Sequence, residues 1–168
     1  MDTRIDEIAD RIYRFSTFVP DIGPTGFTFN QYLIVDEEPL LFHTGLHHSF
    51  PAVTEAIASL TPLESLRWIT FGHLEADESG SMNELLEVAP HAEVAHGVMG
   101  CLVSLNDLAL RPPVQLADGE IIELGAHAFV TSTHHTYPTV GKPGCCSRRR
   151  PAPCCAATSS HNWVMDPP

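Results

Sequence analysis

The sequence predicts an α/β or α+β sandwich, in which paired strands are followed by helices. Three observations carry that expectation. Residues 12–19 alternate, with Tyr13, Phe15, Thr17 and Phe18 set against Ile12, Arg14 and Ser16, the period of a half-buried strand. Beyond Ser49, Val53, Ile57 and Leu60 recur at helical spacing. Short apolar runs such as 66–71 are bounded by turn residues, as buried strands are.

Taken in order, the strand at 12–19 ends in the turn Asp21-Ile22-Gly23-Pro24-Thr25-Gly26, and residues 27–35 form a second strand. Asp36-Glu37-Glu38-Pro39 turns the chain into a third strand at 40–43, which stops at Thr44-Gly45. Ser49 is a suitable helix cap with Pro51 just inside the first turn. Residues 66–71 give a buried strand, and 80–88 a helix with Met82, Leu85, Leu86 and Val88 on its inner side. Residues 92–95 are strand-like and 98–108 helical. Ala117-Asp118-Gly119-Glu120 then turns the chain into a strand at 121–124, and Gly125-Ala126 into one at 128–131.

At 168 residues the chain fits one domain with a real core. Its net charge of −12 argues against a nucleic-acid-binding surface, which needs clustered Lys and Arg. No apolar run approaches the roughly 20 residues of a membrane span, and the start Met1-Asp2-Thr3 is unlike a signal peptide, so a cytoplasmic chain is expected. The averages hide a seam. Residues 1–123 hold 20 of the 21 acidic side chains against 5 basic ones, whereas 124–168 hold 4 basic and 1 acidic. Four of the five cysteines and six of the fourteen prolines lie from Pro138 onward, so the two parts need separate readings.

The most informative stretch is Phe71-Gly72-His73-Leu74-Glu75-Ala76-Asp77-Glu78-Ser79-Gly80. In an extended loop His73, Glu75 and Asp77 would share one side and converge on one or two metal ions. The plainer alternative is an acidic helix start, with carboxylates favouring the dipole and Glu78 or Ser79 as the cap. The remaining histidines His43, His47, His48, His91, His96 and His127 show no ligand spacing and are expected in loops or on the surface; Cys101, beside Leu102 and Leu105, is expected as a small core residue.

A strand, His-x-Glu-x-Asp at its end and a glycine-containing helix start together resemble the metal-binding loop of the metallo-β-lactamase superfamily. Upstream, Asn30-Gln31-Tyr32-Leu33-Ile34-Val35 resembles that family's Asn-x-Tyr-Leu-Ile strand, and residues 40–45 its strand ending in Asp-Thr-Gly. Glu75 stands where the hydrolytic zinc branch carries a second His, as in the oxygen-binding di-iron branch of flavodiiron proteins and related sensors. A carboxylate there hardens the site and shifts preference from zinc towards iron or manganese. The family's last His of this loop is Glu78 here, a departure by which the second metal would lose an imidazole or gain another carboxylate.

The resemblance implies an incomplete αββα metallo-β-lactamase sandwich, its N-terminal half only, over residues 1–135. It implies metal ligation by His73, Glu75 and Asp77, with His134 or His135 as the middle histidine. The implied cofactor is iron, with zinc as the alternative for a hydrolase. The implied ligands are dioxygen or nitric oxide, with the redox partner left open. A non-catalytic binding module with an acidic loop is the third class. A half-sandwich also exposes a sheet edge and an apolar face, which predicts self-association or poor solubility.

Residues 136–168 break the pattern. Two vicinal cysteine pairs are not zinc-ligand spacing, and disulfides do not suit a cytoplasmic chain. The genetic code suggests another origin for this stretch. In the frame formed by the last base of each codon and the first two of the next, Cys145-Cys146 and Cys154-Cys155 both spell Leu, and Trp163-Val164 spells Gly. Suitable codons elsewhere give a strand, turn and strand with an Asp across Ala157 and Thr158, the family's bridging carboxylate. The expectation is therefore a truncated, inactive member with a frameshifted, disordered tail. Such a chain should bind at most one divalent ion, weakly.

Overall fold

The computed structural model describes residues 3–131, together with three short backbone strands further on. Strands β1 (Thr3–Ala9), β2 (Ile12–Val19) and β3 (Phe27–Ile34) form an antiparallel meander, with Phe15 opposite Gln31 and Ile12 opposite Ile34. β4 (Leu40–Phe42) pairs antiparallel with β3, and from there the sheet turns parallel through β5 (Trp68–Thr70), β6 (Glu93–Gly97) and β7 (Val114–Leu116). The sheet order follows the sequence, β1 to β7.

Parallel neighbours need crossover segments, and here these are helical. Helix α1 (Phe50–Ala58) joins β4 to β5. The short α2 (Ala76–Ser79) and then α3 (Met82–Val88) join β5 to β6. A helical run over 98–108, here α4, with a wider π turn at Cys101–Leu105, joins β6 to β7. Arg111 secures the end of α3 by donating to the carbonyl oxygens of Leu86, Ala89 and Ala92 at 2.6–3.0 Å, supplying acceptors that a helix end leaves unpaired with a charged partner.

A second sheet runs β12-β11-β10-β9-β8. Its first strands are β8 (Ile121–Glu123) and β9 (Ala128–Val130), and it continues through β10 (Thr139–Gly141), β11 (Cys155–Ala157) and β12 (Trp163–Met165). Those last nine residues are strand where the proline-rich sequence predicts none, and β10 pairs antiparallel with β9.

Side-chain alternation sorts the two cores. On the helix side, Phe15, Leu33, Leu41, Ile69 and Val94 pack with Val53, Ile57, Leu85, Leu86, Cys101 and Leu105. On the opposite face, Ile12, Tyr32, Ile34, Leu40 and Phe42 pack with Ile122, Leu124 and Phe129 of the second sheet. Leu33 and Leu41 thus point one way, and their chain neighbours the other. Burial on both faces explains why 32–34 and 40–42 are continuous apolar runs. The layers are helix, sheet, sheet.

A polar latch ties the sheets at one edge. Asp36, in the turn after β3, accepts the backbone N–H of His127 at 2.8 Å, and the ring Nδ1 of His127 lies 2.6 Å from the same oxygen. The ring Nε2 lies 3.0 Å from the backbone oxygen of Asp10. With 6 % and 2 % of their side chains exposed, His127 and Asp36 are interior groups, and His127 lies in a loop, one of the two places expected for it, but buried there. Gly125 sits at φ +123 with its Cα against Asp36, where a Cβ would come within 2.6 Å of Oδ1. Burial pushes the Asp36 carboxyl up, but the His127 side chain and the N–H groups of Glu37, Ala126 and His127 together hold it below the usual carboxylate range.

A lowered native pKa means that this stabilisation is complete above the unfolded value of about 3.9 and is lost as pH falls towards the native value. Asp36→Ala should cost about 3–5 kcal/mol near neutrality, because it leaves the buried imidazole without its acid partner. Urea unfolding measured from pH 7 to pH 3 checks both points. The variant should show a weaker acid-induced fall than the natural chain, and parallel curves would count against the latch.

Candidate metal centre

β4 and β5 are parallel neighbours, with Phe42 beside Thr70, so their chains leave the same edge of the sheet together. Such carboxyl-end edges of parallel strands are where α/β folds gather ligands. His43 still holds the sheet, donating its N–H to the Thr70 carbonyl at 2.8 Å. After Phe71 and Gly72 the second chain bends away and winds into α2.

At this edge His73, Glu75 and Glu78 each offer a ligand atom, and the three atoms lie within 4.8 Å of one another. Among the described residues they are the one such group of His, Cys, Asp or Glu. Asp77 is not part of it. The expected grouping of His73, Glu75 and Asp77 assumed an extended loop with a period of two. Helix begins at Ala76 instead, and at about 100° per residue Asp77 turns aside while Glu78 returns beneath Glu75. The same turn explains why neither Glu78 nor Ser79 is the cap. Glu75 occupies that position, its carbonyl accepting from Glu78 and Ser79 while its carboxylate makes no capping bond. His134 and His135 lie outside the described residues.

Glu78 is buried, and its environment is specific. Oε2 accepts the His73 backbone N–H at 2.5 Å and lies 3.2 Å from His43 Nε2. Oε1 lies 3.5 Å from His73 Nδ1. Burial raises the Glu78 pKa, yet the hydrogen bond and charge of His43, with the backbone and charge of His73, outweigh it and bring the value to about 2. The carboxylate is therefore ionised and ready to meet a cation.

Backbone bonds fix the loop from the other side. The Glu78 carbonyl accepts the Thr44 N–H at 2.6 Å and the Thr44 hydroxyl at 3.0 Å. Ser81 donates its N–H to the Gly45 carbonyl at 3.0 Å and its hydroxyl to the Leu46 carbonyl at 2.8 Å. Residues 43–46 thus strap residues 78–81 to the end of β4.

Two histidines expected in loops or on the surface border the centre. His43 has only 13 % of its side chain exposed and stacks on Phe42 at 4.1 Å between ring centres. Its signal in the sequence was its place at the end of a strand next to the ligand strand. His96, at the end of β6, lies 5.4 Å from Phe71 ring to ring, and burial holds its pKa below the ordinary histidine value. Among the described residues, no helix is long and apolar enough to cross a membrane.

Residues 27–134 match the family described as ODP family beta lactamase. A diflavin flavoprotein, A 2, from Synechocystis sp. is 31% identical over 119 residues, covering 70% of this chain and 19% of its own length. The rubredoxin-oxygen oxidoreductase of Megalodesulfovibrio gigas is 27% identical over 106 residues, covering 62% of this chain and 26% of that protein. Among solved structures, a flavo di-iron protein mutant from Thermotoga maritima superposes with a TM-score of 0.73 at 19% identity, over 85% of this chain and 41% of the other. The likeness establishes a metallo-β-lactamase fold, and the chain spans 19% of the length of the first of these two relatives and 26% of the second.

The strap leaves no room at Gly80. Its φ of −60 suits any residue, but a Cβ there would collide with the Ala76 carbonyl and come within 3.1 Å of the Gly45 oxygen and the His47 nitrogen. Gly80→Ala should therefore destabilise the fold by about 1–3 kcal/mol through crowding of backbone that cannot move aside. A thermal melt checks this, and an unchanged midpoint would show that the loop is not strapped as described.

Proposed function

We propose that this chain, which belongs to the ODP β-lactamase family, is a metal-binding domain of the flavodiiron type that holds one divalent ion between His73, Glu75 and Glu78. The observation that carries this reading is the convergence of those three ligand atoms within 4.8 Å at the edge of the parallel strands. One imidazole with two carboxylates is a hard donor set, suited to iron(II) or manganese(II). His134 or His135 adds a further imidazole in this reading, and Asp77 is left for a second ion position.

Iron bound here supplies one-electron chemistry of the kind that dioxygen or nitric oxide reduction draws on. The chain's own residues do simpler things. Glu78 brings a fixed negative charge, Glu75 an accessible one, and His73 an imidazole nitrogen. With one group of three ligands among the described residues, we read the chain as a single-ion domain that does not by itself reduce either gas. A zinc hydrolase is the second reading, and Glu75 stands against it because an imidazole there would suit zinc better.

Metal titration of the purified chain tests this directly. One equivalent of manganese(II) or iron(II) should bind and be removable by chelator. Two irons per chain retained after desalting would overturn the single-ion reading, and no binding at all would overturn the metal site. Glu75→His should raise zinc affinity relative to manganese by about tenfold or more, measured by competition, because it softens the donor set.

A further inference from the structure

We propose that His43 is a positioning residue for the metal site, holding Glu78 so that one carboxylate oxygen is committed to the protein and the other is presented to the ion. The inference rests on the metal-site reading above and adds a residue outside its ligand set. Four observations on His43 and its surroundings support it.

The two oxygens of Glu78 are used differently. Oε2 receives the His73 N–H at 2.5 Å and faces His43 Nε2 at 3.2 Å, so its lone pairs are engaged on both sides. Oε1 has only the longer approach of His73 Nδ1, at 3.5 Å, beyond ordinary hydrogen-bond length. It is the oxygen free to join His73 and Glu75 around a cation.

The His43 backbone is held in an unusual conformation. Its φ is +66, in the left-handed region that non-glycine residues seldom occupy and that costs of order 1–2 kcal/mol. The chain sustains this while its N–H donates to Thr70 and its ring stacks on Phe42 at 4.1 Å, which leaves few orientations for the imidazole. Such strain, kept by surrounding contacts, is characteristic of functional positions.

The space has been kept clear. A Cβ at Gly72 would stand 3.3 Å from Glu78 Oε2 and 3.8 Å from His43 Nε2, so glycine leaves the pair room to meet. His43 itself does not belong to the group of three whose ligand atoms converge, which places it behind Glu78 rather than in the ligand set. Partners that orient a ligand in this way are worth about 10–100-fold in metal affinity.

Two substitutions separate positioning from mere structure. His43→Gly relieves the left-handed backbone but leaves the buried Glu78 carboxylate without its imidazole partner, so the apo protein should melt below the natural temperature while manganese affinity falls about 10–100-fold. His43→Gln keeps a nitrogen donor at a similar reach and should recover most of that loss. Affinity is read by titration of manganese(II), and cobalt(II) absorption reports the ligand geometry. In His43→Gly the cobalt spectrum should shift, and in His43→Gln it should return towards the natural one. Natural affinity and spectrum in His43→Gly would overturn the proposal, as would equal losses in both variants. If the unaltered chain binds no manganese or cobalt, the metal-site reading itself fails, and this inference with it.

Discussion

The proposed metal centre depends on one constraint, the fastening of Glu78 to the end of β4. Its carboxylate is gripped by His43 and the His73 N–H, and its carbonyl by both donors of Thr44. Ser81 extends the seam to Gly45 and Leu46. Without these bonds, the loop after β5 would be a short acidic turn with mutually repelling side chains. With them, a buried carboxylate is ionised and aimed, and the helical turn that begins at Ala76 brings it level with Glu75.

That fastening is possible because the sheet behind it is rigid. β3 and β4 are packed on both faces, with Leu33 and Leu41 under the helices and Tyr32, Ile34, Leu40 and Phe42 under the second sheet. Strands buried on both sides leave little freedom to the backbone that emerges from them. The second sheet is secured in turn by the Asp36–His127 latch and by the N–H of Glu38, which donates to the Leu124 carbonyl at 2.9 Å. The route from core to candidate site is short: a layered sheet fixes two neighbouring strand ends, and these fix the side chains of the proposed ligand set.

Much of the architecture was legible in the sequence, because it follows from local periodicity. The strand at 12–19 and the helices at 50–58 and 98–108 are written in the spacing of their apolar residues. β1 was not legible: Arg4, Asp6 and Glu7 make it polar, as suits an edge strand in partial contact with solvent, and its hairpin partner alone reveals it. β7 is too short and follows Pro112-Pro113, so it carries no pattern of its own. The fastening escaped for a different reason. His43 and Glu78 are 35 positions apart, and Asp36 and His127 are 91 apart, so only the fold brings them together. At the candidate site the spacing points to His73, Glu75 and Asp77 as one side of an extended loop, whereas the helical turn that begins at Ala76 groups His73 and Glu75 with Glu78.

The choice between those two carboxylates is also where the site is most directly tested. Glu78→Gln and Asp77→Asn remove one charge each, one residue apart, with little change in shape. Manganese(II) titrations of the two variants beside the natural chain should show a loss of about tenfold or more for Glu78→Gln and near-natural affinity for Asp77→Asn. The opposite ranking, with Asp77→Asn the damaging change, would contradict a metal centre built on Glu78.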